Sequence, residues 1–277
     1  TIGTGAWTVI AGTGAVTTAN DPNSGVTGLT TGVTTFVWTI SNGTCAASTD
    51  TISITVDPLP TVANAGADQT ICAATATLAA NTPTIGTGAW TVIAGTGAVT
   101  TANDPNSGVT GLTTGVTTFV WTISNGTCAA STDTISITVD PLPTVANAGA
   151  DQTICAATAT LAANTPTIGT GAWTVIAGTG AVTTASDPNS GVTGLTTGVT
   201  TFVWTITNGT CAASTDTISI TVDPLPTVAN AGADQTICAA TATLAANTPT
   251  IGTGAWTVIA GTGAVTTAND PNSGVTG

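Results

Sequence analysis

The sequence contains no basic residue. Lys, Arg and His are absent from its 277 residues, and the 13 acidic residues, all of them Asp, give a formal net charge of −13. Because phosphate binding requires cationic side chains, this composition excludes nucleic acid as a partner, and it argues equally against an anionic membrane surface. Without His or Lys, no Ser, Thr or Cys has its usual general base. We therefore expect no enzyme, no catalytic residue and no organic cofactor.

Long hydrophobic runs are missing as well. The longest apolar runs are only a few residues, far below the roughly 18 residues of a membrane-spanning helix, so we expect no membrane insertion. Hydrophobic residues nevertheless make up 42% of the chain, which is more than a disordered protein normally contains. The composition therefore predicts a folded protein that stays outside the bilayer.

One sequence recurs along the whole chain. The heptapeptide TIGTGAW sets a period of 83 residues, since it begins at Thr1, Thr84, Thr167 and Thr250. Within the overlapping copies, only two positions vary: Ser186 replaces an Asn, and Thr207 replaces a Ser. This period is too long for a solenoid coil and fits one small β-sandwich domain per repeat. Copies this similar indicate a function that depends on the number of repeats and on the length of the array.

A proline-rich segment predicts the domain boundaries. The sequence DPLP occupies 57–60 and recurs at 140–143 and 223–226. Because proline cannot donate to a sheet and stiffens the chain, we interpret this segment as a short linker. The predicted units are two complete domains and two partial ones, at 60–142, 143–225, 1–59 and 226–277. We expect the chain to be part of a longer protein, since it starts in mid-domain.

The pattern within each repeat is that of β-strands. Residues 118–123 alternate so that Phe119, Trp121 and Ile123 share one face, and 134–139 alternate so that Ile135, Ile137 and Val139 are buried. Alternation with period two is typical of a half-buried strand. Asn125-Gly126 predicts a hairpin turn between them. Residues 75–80 and 89–93 predict further strands, and the fold class is all-β.

Three segments resemble PKD-type immunoglobulin-like domains. They are the predicted opening strand ANAGADQT at 63–70, the later Trp90, and the closing STDTISITV at 131–139. The resemblance covers every repeat and is closest to the arrays in giant surface proteins of Bacteroidetes, including gliding-motility adhesins. It implies an extended array of β-sandwiches at the cell surface, exported by type IX secretion. The chain departs from the family pattern in lacking Tyr and in carrying Trp121.

Some polar residues are candidate sites for a metal or a modification. Calcium prefers several oxygen ligands, and Asp140, Asn147 and Asp151 are the candidates near a domain junction, although Asx residues also build turns. The sequence Asp-Thr-Ile resembles the O-glycosylation motif of Bacteroidetes. It makes Thr51, Thr134 and Thr217 candidate sites, with ordinary outward-facing strand residues as the alternative interpretation.

The cysteines, two per repeat, predict disulfide bonds, as expected in small extracellular domains. Cys72 lies after the predicted opening strand, and Cys128 follows the Asn125-Gly126 turn. Strands of about eight residues separate these two ends of a sandwich by roughly 25 Å, whereas bonded cysteines have Cα atoms within about 7 Å. The spacing therefore favours a bond from Cys72 to Cys211 of the next domain. The in-domain pair Cys72–Cys128 remains the alternative.

Two functions fit these observations. The first is a structural repeat region of an extracellular bacterial fibre or stalk that supports adhesion, with neighbouring copies or further repeats of the same protein as partners. The second is an array of modules that bind surface glycans or proteins weakly, with avidity from multivalency. Exposed Trp90, Trp121 and Phe119 would favour binding, whereas buried aromatic residues would favour the stalk.

Overall fold

The computed structural model describes residues 2–277 as strands, turns and irregular segments. No helix occurs in this range, and none therefore crosses a membrane. The chain divides into two compact units, Thr1–Leu142 and Pro143–Gly277. The all-β prediction is confirmed.

The first unit contains a partial and a complete sandwich. The strands of the partial sandwich are β1 (Thr4–Ala11), β2 (Ala15–Val16), β3 (Val26–Thr27), β4 (Gly32–Ser41) and β5 (Ser48–Val56). The strands of the complete sandwich are β6 (Gln69–Ile71), β7 (Ala76–Thr77), β8 (Thr87–Ala94), β9 (Ala98–Val99), β10 (Gly108–Thr110), β11 (Gly115–Ser124) and β12 (Ser131–Val139). Its seven strands form one sheet in the order β6-β12-β11-β8 and another in the order β7-β10-β9, as in an immunoglobulin-like domain.

The second unit repeats this architecture. The strands of its complete sandwich are β13 (Gln152–Ile154), β14 (Ala159–Thr160), β15 (Thr170–Ala177), β16 (Ala181–Val182), β17 (Gly191–Thr193), β18 (Gly198–Thr207) and β19 (Ser214–Val222). They form the sheets β13-β19-β18-β15 and β14-β17-β16. A three-stranded sheet follows, made of β20 (Thr241–Thr243), β22 (Gly274–Thr276) and β21 (Ala264–Val265).

The long hairpin β11–β12 supplies much of the core, and the alternation of its sequence is the cause. The strands pair without a break from Gly115↔Val139 to Ile123↔Ser131. Every second side chain therefore points inward, and Phe119, Trp121 and Ile123 are fully buried. The prediction for both strands of this hairpin is confirmed.

Trp121 is the centre of the core. Its ring packs against that of Trp90 across β11 and β8, with centroids 5.1 Å apart. Gly88 lies directly beneath the Trp121 ring, because a Cβ added at Gly88 would lie 2.1 Å from Cζ2 of that ring. Trp204, Trp173 and Gly171 reproduce this arrangement in the second unit.

The opening segment, residues 63–71, differs from the predicted strand at 63–70. Only Gln69–Ile71 forms a strand, which runs parallel to β12. Before it, the backbone amides of Ala63 and Ala65 donate to the side chains of Ser131 and Asp133, at 2.9 and 2.8 Å. Side chains of β12 thus replace the backbone ladder, which is consistent with a sequence rich in Ala, Asn and Gly, residues disfavoured in strands.

The predicted strand at 75–80 is also shorter than expected, since β7 contains only Ala76 and Thr77. Beyond it, Leu78 N donates to Ser107 O and Ala80 N donates to Pro105 O. These acceptors lie in the turn before β10, so the segment leaves the regular ladder while its amides remain paired.

Replacing Asp133 and the equivalent Asp216 by Ala should destabilise both complete sandwiches. Each carboxylate accepts a 2.8 Å hydrogen bond from a buried backbone amide, that of Ala65 or Ala148. An unpaired buried donor costs about 1–3 kcal/mol, and chemical denaturation of the full chain measures this loss.

Asp50→Ala is the matched control. Asp50 has the same local sequence but, among residues 2–277, accepts only from its neighbour Thr51, so we expect a loss of less than about 0.5 kcal/mol. Equal losses in the two variants would contradict the role assigned to Asp133.

Candidate functional site: the junction between repeats

The linker at 57–60 contacts the turn that connects β11 to β12. Asn125 Nδ2 donates to Pro58 O at 2.8 Å, and Thr127 N donates to Asp57 Oδ2 at 3.3 Å. Cys128 Sγ lies 3.4 Å from Asp57 O and 3.5 Å from Pro58 O. The turn of one domain thus binds the linker that precedes that domain.

Gly126 makes this contact possible. Its φ is +52°, a left-handed conformation that glycine adopts without strain. A Cβ at this position would lie 1.9 Å from Asp57 Oδ2, so any side chain would displace the carboxylate that accepts from Thr127 N. The Asn125-Gly126 pair therefore serves both the hairpin and the junction.

The linker is also tied to the domain that follows it. Thr61 N donates to Ile85 O at 3.1 Å, and the Thr61 hydroxyl accepts from the amides of Thr84 and Ile85 at 2.9 and 2.8 Å. Pro60 is buried, while Leu59 is exposed. Polar contacts thus fix the chain on both sides of Leu59.

Cys72 lies at the opposite end of the same sandwich. Ile71 pairs with Val139, the last residue of β12, and Asp140 N donates to Ile71 O at 2.8 Å. Cys72 Sγ is 3.8 Å from Asp140 O. The nine residues of β12 separate this end from Cys128 by roughly 26 Å, which is too far for the alternative in-domain bond between Cys72 and Cys128.

The oxidation states of the cysteines differ within each unit. In the first unit Cys72 is a disulfide cysteine, whereas Cys45 and Cys128 carry free thiols. In the second unit Cys211 is a disulfide cysteine, whereas Cys155 and Cys238 carry free thiols.

Comparisons with known proteins add the following findings. No protein-family model and no curated protein sequence matches the chain. The chain is similar to a solved three-domain immunoglobulin segment of titin, at 11% identity and a TM-score of 0.47, covering 79% of this chain and 87% of that one. It is also similar to immunoglobulin domains 1–4 of Sidekick-1, at 13% identity and a TM-score of 0.38, covering 80% and 68%. A third similar structure is the insect immune protein hemolin, at 12% identity and a TM-score of 0.36, covering 79% and 67%.

The calcium candidates lie in two different units, and two of them already bind backbone amides. Asn147 Oδ1 accepts from Gly149 N at 2.9 Å, and Asp151 Oδ1 accepts from Ser219 N at 2.8 Å. Asp140 directly follows the last residue of β12 and is the first residue of the next linker. Within residues 2–277, no three acidic, Cys or His side chains form a group that could hold a metal ion.

The glycosylation candidates Thr51, Thr134 and Thr217 are all exposed, on the outward face of β5, β12 and β19. The Asp before each Thr has a structural role in the two complete sandwiches, where it accepts from Ala65 or Ala148. This structural role explains the presence of the Asp even if the following Thr carries no sugar. The Thr side chains themselves are exposed and therefore accessible to O-glycosylation.

The aromatic side chains of the two complete sandwiches are not exposed at the surface. Trp90, Trp121 and Phe119 are buried in the core, as are Trp173, Trp204 and Phe202 in the second unit. The outer faces of the complete sandwiches are lined by Thr, Ser and Val instead. Sequence analysis missed the contact of Asn125 and Gly126 with the linker, because their partners lie about 70 residues away in the chain.

Proposed function

We propose that this chain is a structural stretch of an extracellular stalk or fibre that supports adhesion at a bacterial surface. The observation that carries the proposal is the junction: one turn, Asn125 to Cys128, binds the first two residues of the preceding linker, Asp57 and Pro58. A linker held in this way restricts bending between successive domains. The sequence repeats the linker and the turn every 83 residues, so the same restriction recurs along the array.

The domain boundaries of the proposal are 60–142 and 143–225, with partial domains at 1–59 and 226–277. Each complete domain has a core of its own, built around Trp121 in one and Trp204 in the other. The finer assignment is to PKD-like arrays of Bacteroidetes surface adhesins exported by type IX secretion. It rests on the motifs at 63–70 and 131–139, and O-glycosylation at Thr134 and its equivalents belongs to the same proposal.

An interdomain disulfide between Cys72 and Cys211 is the second part of the proposal. Cys211 is the repeat equivalent of Cys128, and Asp140 is the equivalent of Asp57. If the next junction repeats the first, Cys211 Sγ lies about as close to Asp140 O as Cys128 Sγ lies to Asp57 O, at 3.4 Å. Cys72 Sγ lies 3.8 Å from that same Asp140 O. Two sulfurs beside one carbonyl oxygen are within reach of a disulfide.

The alternative, a multivalent glycan- or protein-binding array, has weaker support. Sugar recognition commonly uses an exposed aromatic surface, and the aromatic residues of the complete sandwiches are buried. Because the chain has no basic residue, such an array would have no cationic side chain with which to bind an anionic ligand.

Small-angle X-ray scattering of the dilute chain tests the stalk. Sandwiches of about 40 Å placed end to end give a rod roughly 130 Å long, with a radius of gyration of roughly 37 Å. A compact globule of the same length has a radius of gyration of about 19 Å. A value near the lower figure would contradict the proposal.

A further inference from the structure

The turn that binds the linker contains a chemically reactive pair, Asn125-Gly126. When Gly follows Asn, no side chain shields the backbone nitrogen of the Gly, and this nitrogen can attack the side-chain carbonyl carbon of the Asn. Gly126 is exposed and Asn125 is half-buried, so water reaches the pair. The same pair recurs as Asn42-Gly43 and Asn208-Gly209.

We propose that Asn125 is a site of spontaneous deamidation, and that this modification releases the linker from the turn. The reaction converts a hydrogen-bond donor of the junction into a carboxylate. The inference rests on the proposed function, because it names how the restriction on bending between successive domains is lost. It makes the stiffness of a stalk depend on the age of the molecule.

The reaction consumes water and needs no other reactant. The backbone nitrogen of Gly126 forms a bond to Cγ of Asn125, and the side-chain amide leaves as ammonia with the proton that this nitrogen loses. The product is a cyclic imide, a succinimide. Water then opens the ring at either carbonyl carbon, which yields aspartate or isoaspartate, and no electron is transferred.

The junction uses the amide group that this reaction removes. Asn125 Nδ2 donates to Pro58 O at 2.8 Å, and an ionised carboxylate has no proton to donate in its place. The product therefore sets a negatively charged oxygen against the carbonyl oxygen of Pro58. The loss of the donor and the repulsion between the two oxygens both favour separation of the turn from the linker.

A second carboxylate already lies at this turn. Asp57 Oδ2 accepts from Thr127 N at 3.3 Å, and it lies so close to Gly126 that a Cβ added there would be 1.9 Å from it. Because residue 125 adjoins Gly126, deamidation adds a negative charge beside Asp57. The sequence has no Lys, Arg or His to compensate this charge, so the two carboxylates repel each other.

The isoaspartate product also changes the backbone of the turn. Asn125 O accepts from Cys128 N at 3.1 Å, a bond that closes the turn between β11 and β12. In isoaspartate the main chain runs through Cγ and is one atom longer, which alters this geometry. The paired part of the hairpin ends before the turn, at Ile123↔Ser131. We therefore expect the junction to open while the core stays folded.

The intact junction slows the reaction that destroys it. For Gly126 N to attack, the side chain of Asn125 must leave Pro58 O and rotate toward its own backbone. Deamidation is therefore expected mainly in molecules whose junction has opened transiently. Hydrolysis of the imide is not reversed without a supply of ammonia, so a transient opening becomes permanent.

Cys128 reports whether the junction is open. Its free thiol is half-buried, with Sγ 3.4 Å from Asp57 O and 3.5 Å from Pro58 O, so release of the linker exposes it to an alkylating reagent such as iodoacetamide. A protease that cleaves before Asp releases Asn125 and Cys128 on one peptide, 104–132. Deamidation and alkylation are therefore read in the same molecule. Cys45→Ser gives this peptide a mass different from that of the identical sequence at 21–49.

The test is incubation of the full chain carrying Cys45→Ser in mildly alkaline buffer, followed by brief alkylation and mass spectrometry of the peptides. We expect Asn125 to deamidate at least tenfold more slowly in the folded chain than in urea. Within one folded sample, Cys128 should be alkylated at least tenfold faster in deamidated peptides than in unmodified ones. A chain with Asn125→Asp should show the fast alkylation from the start, whereas the exposed Cys155 should be alkylated at one rate throughout.

Different results identify which idea fails. No deamidation of Asn125 in urea would overturn the site, and equal deamidation rates in urea and in the folded chain would show that the junction does not hold Asn125. Equal alkylation of Cys128 in deamidated and unmodified peptides would overturn the release of the linker. If a fresh chain scatters X-rays as a rod, any of these results refutes the inference and leaves the stalk intact. Scattering as a compact globule would refute the stalk itself, whatever the alkylation shows.

Discussion

Replacing Gly88 and Gly171 by Ala is expected to lower the free energy of unfolding of each complete sandwich by about 3 kcal/mol. The added Cβ would lie 2.1 Å from Cζ2 of Trp121 or Trp204. Both rings are fully buried and pack against a second Trp, so neither has space to move. Gly88 does not have a positive φ. Without the clash, Ala would therefore stabilise the strand slightly.

A double-mutant cycle with Trp121→Phe separates this clash from other effects, with each change also made at the second-unit equivalents. Phe lacks the outer ring atoms that lie over Gly88, so Gly88→Ala should cost less than about 1 kcal/mol in that background. Trp121→Phe also removes an indole N–H that is buried and has no hydrogen-bond partner within residues 2–277. The loss of this N–H therefore limits the destabilisation that Trp121→Phe causes by itself.

Gly5→Ala is the matched control in the partial sandwich. Its Cβ would also lie 2.1 Å from a Trp ring, that of Trp38, but Trp38 is only half-buried and has space to shift. We expect a loss below about 1 kcal/mol. Calorimetry of the full chain measures all variants. A large loss at Gly5, or none at Gly88, would contradict the proposed packing.

The hairpin and its core were predictable from sequence because period-two alternation depends on local geometry alone. Phe119, Trp121 and Ile123 share a face in any extended strand, and only one face of a sandwich sheet is buried. The same logic placed Cys72 and Cys128 at opposite ends of the domain, since the length of a strand fixes that separation.

The opening segment and the junction were not predictable in the same way. The amides of Ala63 and Ala65 bind side chains of β12 that lie 68 residues ahead, and no local pattern encodes such partners. The Asn125-Gly126 pair indicates a turn whatever that turn contacts. Its second role, binding Asp57 and Pro58, depends on how two domains meet.

Strands β5 and β12 show most directly what a sequence pattern cannot predict, because they have the same sequence but differ in burial. The alternating sequence of β5 predicts a buried Ile52, and the identical β12 buries Ile135. Ile135 packs in one core cluster with Ala63, Ala65 and Leu78, and the pattern of the strand does not contain these partners.

Stretching a single chain from its two ends should reveal the interdomain disulfide, because the bond prevents the residues between its two cysteines from extending. With Cys72 bonded to Cys211, tension passes through the sulfurs, and residues 73–210 bear no load. That segment would otherwise extend by about 500 Å. The oxidised chain should therefore lengthen only through residues 1–71 and 212–277, whereas Cys211→Ser should add two unfolding steps of about 250 Å each.

The expected extension depends on a single bond, between Cys72 and Cys211, so a variant at another cysteine is a closely matched control. Cys155→Ser removes a free thiol of the same unit. In a single dilute chain, this variant should extend by the same length as the unaltered oxidised chain. Reduction of the unaltered chain should reproduce the two long steps of Cys211→Ser. Two long steps in the unreduced, unaltered chain would show that both sandwiches bear load, and would rule out the bond. A stalk whose repeats are bridged in this way stays short under tension even after a sandwich loses its packing, because the bridge rather than the sheet then carries the force.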